Sequence, residues 1–417
     1  MNGRAPGASI DSVTHPGRTT TAPGLALGLA ALFLFPNKAL AQTGSRIDPL
    51  PPEALAGLRA LAARGAAALV LDPDGGPRAR VTVAVPVRAD LDTTRGALVE
   101  AAGWPGFMPA VGSVEPLSRH GRRAAWRMTV RAGLLDVHAV TQVHEVSPRR
   151  VDFTVAESDF GSAAARWELH PQPDGTTLLA LTSWSDPSEG HWLLRRAAGS
   201  NPTATAGINV AIGLVLARAV QRQAEHRAGL VLPPAPPATP TTPLPTPEPG
   251  PWDALSTRWY VLSFGFRGDG TATEVTATAR TRSSMAHIQE RLDAVGRWPQ
   301  FLPAVRLAEP ADPDRARITL RSPFDDATGL LTHATPTPGV TVWQGQSPGL
   351  AASAWRWDLR PTPEGDTLVT LSGRVNPGLS ATLPRAAAAR EPLLYVGLTG
   401  LRQLLWMRGL LAGLGPG

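Results

Sequence analysis

The segment from Trp104 to Val111 reads WPGFMPAV, and it returns as WPQFLPAV from Trp298 to Val305. Six of the eight positions are identical. A long-period self-repeat of this kind decides the architecture, because each copy specifies a complete structural unit. The chain is therefore predicted to contain two tandem domains, and a short-period solenoid is excluded.

Two further pairs of segments extend the repeat. RMTVR from Arg127 matches RITLR from Arg317, and RWELHP from Arg166 matches RWDLRP from Arg356. The first segment is displaced by 194 residues (298 against 104) and these two by 190, so the second copy is four residues shorter in between. A chain of 417 residues has room for two domains at about 100 to 200 residues each.

Composition excludes several classes of function. The formal charge of +6 comes almost wholly from arginine, since Lys38 is the one lysine, and no compact basic block marks a nucleic-acid partner. Cysteine is absent, which removes disulfides, thiol nucleophiles and thiolate metal sites. The sequence contains no phosphate-binding glycine loop, no serine-hydrolase elbow and no zinc-protease motif. We expect neither a metal site nor a cofactor.

The N-terminus resembles a secretory signal. An apolar run from Leu25 to Phe35 follows two arginines and precedes the small-x-small site Ala39-Leu40-Ala41. This predicts a signal peptide over residues 1–41, cleaved after Ala41, and hence a periplasmic or secreted protein. The alternative is an N-terminal membrane anchor, although eleven apolar residues are fewer than the roughly 20 that span a bilayer. Residues 42–64 then form an N-terminal extension with one short helix.

Each copy repeats one order of elements. Two strands are followed by a helix, the Trp-Pro segment, a run of antiparallel strands and a long closing helix, at about 203–227 in the first copy and 392–414 in the second. The valines at 81, 83, 85 and 87 alternate with period two, so that strand has one face toward a core. The fold class is α+β.

A proline-rich segment separates the copies. Residues 232–251 read LPPAPPATPTTPLPTPEPGP, a composition that favours polyproline II and buries no core. The predicted domains are residues 65–231 and 252–417, with 232–251 as a linker. We expect the two domains to be tethered, to fold separately and to have no fixed orientation.

The order of elements, the Trp104-Pro105-x-Phe107 segment and the closing helix resemble the START-like superfamily. This helix-grip group includes polyketide cyclases, lipid-transfer proteins and coenzyme Q-binding START-domain proteins. The resemblance covers about residues 65–228 and 256–414. It implies two helix-grip domains, each a curved antiparallel β-sheet wrapped around its C-terminal helix and an apolar cavity. It implies no universal catalytic residue.

Strand phase places a set of large apolar side chains on the inward faces. We expect them to bind an apolar small molecule such as a lipid, a quinone or a polyketide. The alternative is ordinary core packing, which would make the protein an interaction module with filled cores. The candidate ligand-binding residues are Trp104, Phe107, Met108, Trp126, Met128, Trp167, Trp298, Phe301, Leu302, Trp355 and Trp357.

A second hypothesis is a polyketide aromatase or cyclase that uses polar residues of the first domain. His144 and His333 are matched across the copies, each seven residues before a strand valine. A histidine of near-neutral pKa suits general-base catalysis of a cyclisation, and Glu157 is the other candidate. The alternative for His144 is a solvated structural role at a strand end.

The closing helix of the second domain is apolar around most of its circumference. Its charges after Glu391 are Arg402 and Arg408, a combination typical of an interfacial helix at anionic headgroups. This predicts peripheral membrane contact through the second domain. The alternative is that a gripped helix needs a wide apolar face.

Overall fold

The computed structural model describes most of both repeats. The described residues are 47–63, 65–71, 80–108, 111–132, 135–158, 162–186, 202–230, 244, 251–266, 272–303, 305–320, 326–346, 350, 353–374 and 392–414. The signal segment 1–41 and almost all of the proline-rich segment lie outside them, so both stay predictions.

The helices and strands follow the predicted order. The strands of the first repeat are β1 Gly65–Leu71, β2 Arg80–Val87, β3 Val111–His120, β4 Arg123–Ala132, β5 Leu135–Ser147, β6 Arg150–Ser158, β7 Ser162–Pro171 and β8 Thr177–Asp186. Those of the second are β9 Tyr260–Phe266, β10 Ala272–Thr281, β11 Val305–Asp312, β12 Arg315–Leu320, β13 Ala327–Thr337, β14 Val340–Gly345, β15 Ala354–Pro361 and β16 Thr367–Arg374. The α-helices are α1 Pro52–Ala62, α2 Leu91–Val99, α3 Pro202–Arg227, α4 Pro251–Leu255, α5 Met285–Asp293, α6 Trp298–Phe301 and α7 Pro392–Ala412.

Each repeat is an eight-stranded antiparallel sheet that packs on its closing helix. The strand order is β1-β2-β8-β7-β6-β5-β4-β3 in the first repeat and β9-β10-β16-β15-β14-β13-β12-β11 in the second. Helix α3 packs on β2 and β8, and α7 packs on β10 and β16. The prediction of an α+β helix-grip fold is confirmed.

Local sequence explains where the elements begin and how they pack. The Asp90 carboxylate accepts a hydrogen bond from the Thr93 backbone N–H at 2.7 Å and caps α2. Ser284 caps α5 in the same way. On β2, Val83 lies against Gly213 of α3, where an added Cβ would stand 2.8 Å from Val83 Cγ2. The glycine therefore lets the gripped helix approach the sheet.

The two repeats share one sheet. Strand β1 pairs with β9 in register from Gly65 with Gly265 to Val70 with Tyr260, which makes a continuous sheet of sixteen strands within the described residues. The prediction of domains without a fixed orientation is wrong. The proline-rich composition describes only the segment that connects the repeats. It does not predict whether the unpaired edges of β1 and β9 pair with each other.

The closing helices also pack against each other across the repeats. The Arg218 guanidinium of α3 lies 4.1 Å from the ring centroid of Phe266 in the second repeat, and Arg408 of α7 donates a hydrogen bond to Thr203 of the first. Burial, with the nearby charge of Arg222, lowers the pKa of Arg218 to about 10. Arg218 and Arg408 are 190 residues apart, so equivalent arginines of the two repeats each contact the other repeat, although through different partners.

This packing gives a reason for the wide apolar surface of α7. One side of the helix meets its own sheet, and another side meets α3. Arg402 lies over the Trp355 ring at 5.7 Å, and Arg408 over the Tyr260 ring at 5.8 Å. No helix among the described residues is long and apolar enough to cross a membrane. Membrane contact of the second repeat stays a prediction.

The N-terminal extension covers the outer face of the sheet. Helices α1 and α4 form a second apolar cluster there, which includes Leu58, Leu61, Trp252 and Leu255. Next to it, Arg166 pairs with Asp152 at 3.0 Å although Arg166 is only 2% exposed. Burial would raise the pKa of Asp152, but hydrogen bonds and charges from two arginines hold it below its usual value. In this part of the sheet, the outer face is therefore covered by other residues and is not exposed to solvent.

Candidate functional site

An aromatic cluster lies on the inner face of the first repeat. The rings of Trp104 and Trp126 meet edge to face with centroids 5.2 Å apart. Phe153 stacks on Trp104 at 5.9 Å and lies 6.0 Å from Trp126. Met108 and Met128 belong to the same core. Two of the predicted ligand-binding residues, Trp104 and Trp126, are thus in ring contact, with Phe153 as an additional member.

The strand registers fix which residues of the two repeats are equivalent. Trp126 faces Thr141 across β4 and β5, and Ala316 faces Leu331 across β12 and β13. A displacement of 190 therefore continues through these strands and carries Trp126 to Ala316.

The next strand pair gives the same displacement. Val143 faces Phe153, and His333 faces Trp343. In the second repeat, His333 thus stands where the first has Val143, and Trp343 stands where the first has Phe153.

The predicted equivalence of His144 and His333 is wrong by one residue. His144 lies opposite Asp152 on the outer face, whereas His333 lies on the inner face and stacks on Trp343 at 4.5 Å. A one-residue shift in a strand moves a side chain to the other face of the sheet. His144 is therefore not directed at the interior of the first repeat.

A cleft of about 350 Å³ opens on the inner-face aromatics of the second repeat. It is lined by Trp343, His333, Asp293, Arg315 and the β11–β12 turn. Pro310, the strand partner of Ala316, also lines it, so the cleft lies beside the position that Trp126 fills in the first repeat. None of the eleven candidate ligand-binding residues lines this cleft.

The matched tryptophans Trp104 and Trp298 differ in the hydrogen bonding of their indole N–H groups. Trp298 donates its N–H to the Leu292 carbonyl at 3.0 Å. Trp104 lies within a 3₁₀ helix, Ala101–Gly106, and its buried N–H finds no acceptor among the described residues. The ring orientations differ too, since Trp104 is nearly parallel to Phe153, at 22°, and Trp298 is steeply inclined to Trp343, at 72°.

The remaining candidate residues lie in the core in smaller groups. Trp355 packs on Trp406 of α7 at 5.4 Å, and the Arg291 guanidinium lies 4.6 Å from the Phe301 ring centroid. Phe107 is half-buried. Trp167, Trp357 and Leu302 are buried as well. Their role as ligand contacts stays a prediction.

The polar candidates are not assembled into a catalytic group. Glu157 is exposed near the end of β6, where a bulge interrupts its pairing with β5. His333 lies near Asp293, with His333 Nε2 4.0 Å from the carboxylate. Within the described ranges, no three histidine, aspartate or glutamate side chains are grouped to hold a metal ion.

Sequence comparison finds a family model that matches part of the first repeat. The model of the family described as polyketide cyclase / dehydrase and lipid transport matches residues 78–221. None of the curated proteins compared with the chain is significantly similar to it.

Solved structures similar to the chain include single-domain and two-domain proteins. The Zhui aromatase/cyclase from Streptomyces sp. R1128 is 18% identical, with 36% of this chain and 94% of that chain covered and a TM-score of 0.31. The START superfamily protein from Mycobacterium smegmatis is 19% identical, with 36% and 98% covered and a TM-score of 0.29. The di-domain ARO/CYC StfQ from the steffimycin biosynthetic pathway is 13% identical, with 79% and 97% covered and a TM-score of 0.28.

The family match covers most of the first repeat, from β2 into α3, and the internal repeat extends the same architecture to the second. The predicted START-like resemblance is therefore confirmed. Residues 78–221 of the first repeat match the polyketide cyclase / dehydrase and lipid transport family, and the chain has a START-like tandem architecture.

Proposed function

We propose that this protein binds and carries an apolar small molecule, of the lipid, quinone or polyketide type, on the inner face of its first repeat. The observation that carries the proposal is the coincidence of two features in one repeat. The family match falls on residues 78–221, and the same residues contain the cluster of Trp104, Trp126 and Phe153.

The chemistry of this cluster favours binding over catalysis. Its members are aromatic rings and thioethers, which hold flat or long apolar molecules by removing them from water. They supply no acid or base. His144, the residue proposed for general-base catalysis, lies on the opposite face of β5. Carriage is therefore preferred to the aromatase or cyclase hypothesis.

We propose in addition that the protein is exported. The apolar run before Ala41 supports a cleaved signal peptide and a periplasmic or secreted location. An exported carrier would hold its cargo away from water between membranes or between enzymes.

Mass spectrometry of organic extracts from the purified full chain tests the proposal. We expect an apolar compound at about one molecule per chain, and a much reduced amount in the Trp126→Ala variant. The proposal is contradicted if the extract holds no apolar compound and the protein takes up none from lipid or quinone mixtures.

A further inference from the structure

The cleft of the second repeat is lined by four ionisable residues whose equivalents in the first repeat are uncharged. Asp293 is the last residue of the nine-residue helix α5, and Val99 is the last residue of α2, which also has nine residues. His333 corresponds to Val143, as the strand registers show. Two of the four positions thus change from valine to an ionisable residue.

The other two ionisable residues lie beside the β11–β12 turn. Asp312 faces Arg315 across the two strands, directly after a shift of register. In the first repeat, the pair that follows the corresponding shift is Ser118 with Ala125. The second repeat therefore presents ionisable groups at four positions where the first repeat has none.

Within this lining, the carboxylate of Asp293 has an oxygen without a donor. Arg315 forms an ion pair with Asp312, so these two charges offset each other. Gln289 donates from Nε2 to Asp293 Oδ1 at 2.9 Å and to Thr341 Oγ1 at 2.8 Å, which holds the carboxylate in place. No described residue donates a hydrogen bond to Asp293 Oδ2.

Asp293 lies at a helix end where a carboxylate is electrostatically unfavourable. The last turn of a helix carries a partial negative charge, so an acid there opposes the helix dipole. The imidazole of His333 approaches Asp293, but Nε2 lies 4.0 Å from Oδ1, beyond hydrogen-bond distance. The Asp293 side chain is 49% exposed. Helix stability therefore gives no reason for an acid at this position.

The rest of the cleft is apolar and has room for a small molecule. Its volume of about 350 Å³ falls within the range of ligand pockets. The apolar residues of the lining are Val295, Pro310, Ala311, Pro313 and Trp343. One cleft thus combines an apolar wall with an accessible carboxylate.

We propose that this cleft binds an organic amine with an apolar body, and that Asp293 recognises its ammonium group. A primary ammonium donates hydrogen bonds only, which suits the free Oδ2, and a charge-assisted hydrogen bond is about twice as strong as a neutral one. A carboxylate ligand is disfavoured, because Arg315 of the lining is already paired with Asp312. This site is separate from the aromatic cluster of the first repeat and does not depend on the function proposed for that cluster.

Isothermal titration calorimetry with the full chain tests the proposal with three probes that share an indole ring. Tryptamine carries an ammonium group, 3-ethylindole is uncharged, and indole-3-acetate is negative. We expect tryptamine to bind about tenfold more tightly than 3-ethylindole, the effect of one charge-assisted hydrogen bond, and indole-3-acetate to bind most weakly. Asp293→Asn should weaken tryptamine binding about tenfold and leave 3-ethylindole binding unchanged.

Two controls separate recognition from net charge and from folding. Asp314→Asn removes the same charge from the exposed β11–β12 turn, outside the cleft lining, and should leave the binding of all three probes unchanged. Asp293→Asn keeps an acceptor for Gln289 and removes the carboxylate from the helix end. Its melting temperature should therefore be unchanged or higher.

Four results would overturn the inference. Tryptamine might bind no more tightly than 3-ethylindole, or indole-3-acetate might bind most tightly, which would make the cleft an anion site. Unchanged tryptamine binding in Asp293→Asn, or an equal loss in Asp314→Asn, would show that Asp293 does not recognise the amine. A lower melting temperature of Asp293→Asn, with equal losses for tryptamine and 3-ethylindole, would show a structural role only.

Discussion

Gly397 of α7 lies so close to Ala211 of α3 that a Cβ on the glycine would stand 2.5 Å from the Ala211 Cβ. The pseudo-symmetric contact is Gly207 against Leu401, whose side chain occupies the space that a Cβ on Gly207 would need. Each pair is related to the other by 190 residues. The closing helices therefore touch through matched glycines, as two copies of one surface do in a twofold dimer.

The first prediction concerns this contact. Gly397→Ala should lower the free energy of unfolding by about 2 kcal/mol, because overpacking against backbone outweighs the gain in helix propensity. Thermal denaturation followed by circular dichroism measures it, and both repeats should unfold in one transition. Gly106→Ala is the control, since an added Cβ there meets nothing within 4 Å. An unchanged melting temperature in Gly397→Ala, or two separate transitions in the unaltered protein, would contradict the shared core.

Much of the fold was predictable from local pattern. The repeated Trp-Pro segment, the alternating valines of β2 and the closing helices gave the helix-grip domains and their element order. The pairing of β1 with β9 was not predictable. The residue pattern of a strand indicates which of its faces are buried, but not which strand pairs along its edge. The wide apolar surface of α7, part of which packs against α3, was the available signal.

The candidate site shows a different limit. Strand phase predicted a common inward face for Trp126 and Met128, and the Trp-Pro segment added Trp104 and Met108 to the same predicted surface. Phe153 and Trp343 were missed because matching His144 to His333 shifted the alignment of these strands by one residue. With the displacement kept at 190, Phe153 and Trp343 fall at equivalent inward positions.

The second prediction is a pH dependence of stability through His170. Burial, with the charges of Arg59 and Arg149, lowers the pKa of this imidazole. The unfolded chain therefore binds a proton that the folded chain excludes, and stability should fall as the pH drops below the unfolded value of about 6.5. Urea denaturation at pH 5 and pH 7.5 should show a smaller difference in His170→Gln. The exposed His120→Gln is the control, and an equal difference in the His170 variant would disprove the assignment.

The third prediction uses the exchange of tryptophan for alanine between the repeats. Trp126→Ala should cost about 3 kcal/mol, because Trp104 and Phe153 lose a shared ring contact. Ala316→Trp should be tolerated, since the cleft of about 350 Å³ lies beside that position. Chemical denaturation and ligand stoichiometry report on both variants. Unfolding of the Ala316→Trp variant, or loss of its ligand binding, would contradict the placement of the cleft beside position 316.

The fourth prediction concerns export. The mature chain should begin at Gln42, because small residues at Ala39 and Ala41 fit the signal peptidase site. N-terminal sequencing of protein from the native envelope determines this, and Ala41→Glu should accumulate the uncleaved precursor. Membrane-bound material with residues 1–41 intact would show an anchor instead.

The most direct test of the central claim is a crystal structure of the full chain with menadione bound. Our account predicts the quinone in the first repeat, in contact with the Trp126 ring. Density for the quinone only in the cleft beside Trp343 and His333, or on the surface, would contradict the claim that the first repeat holds the ligand.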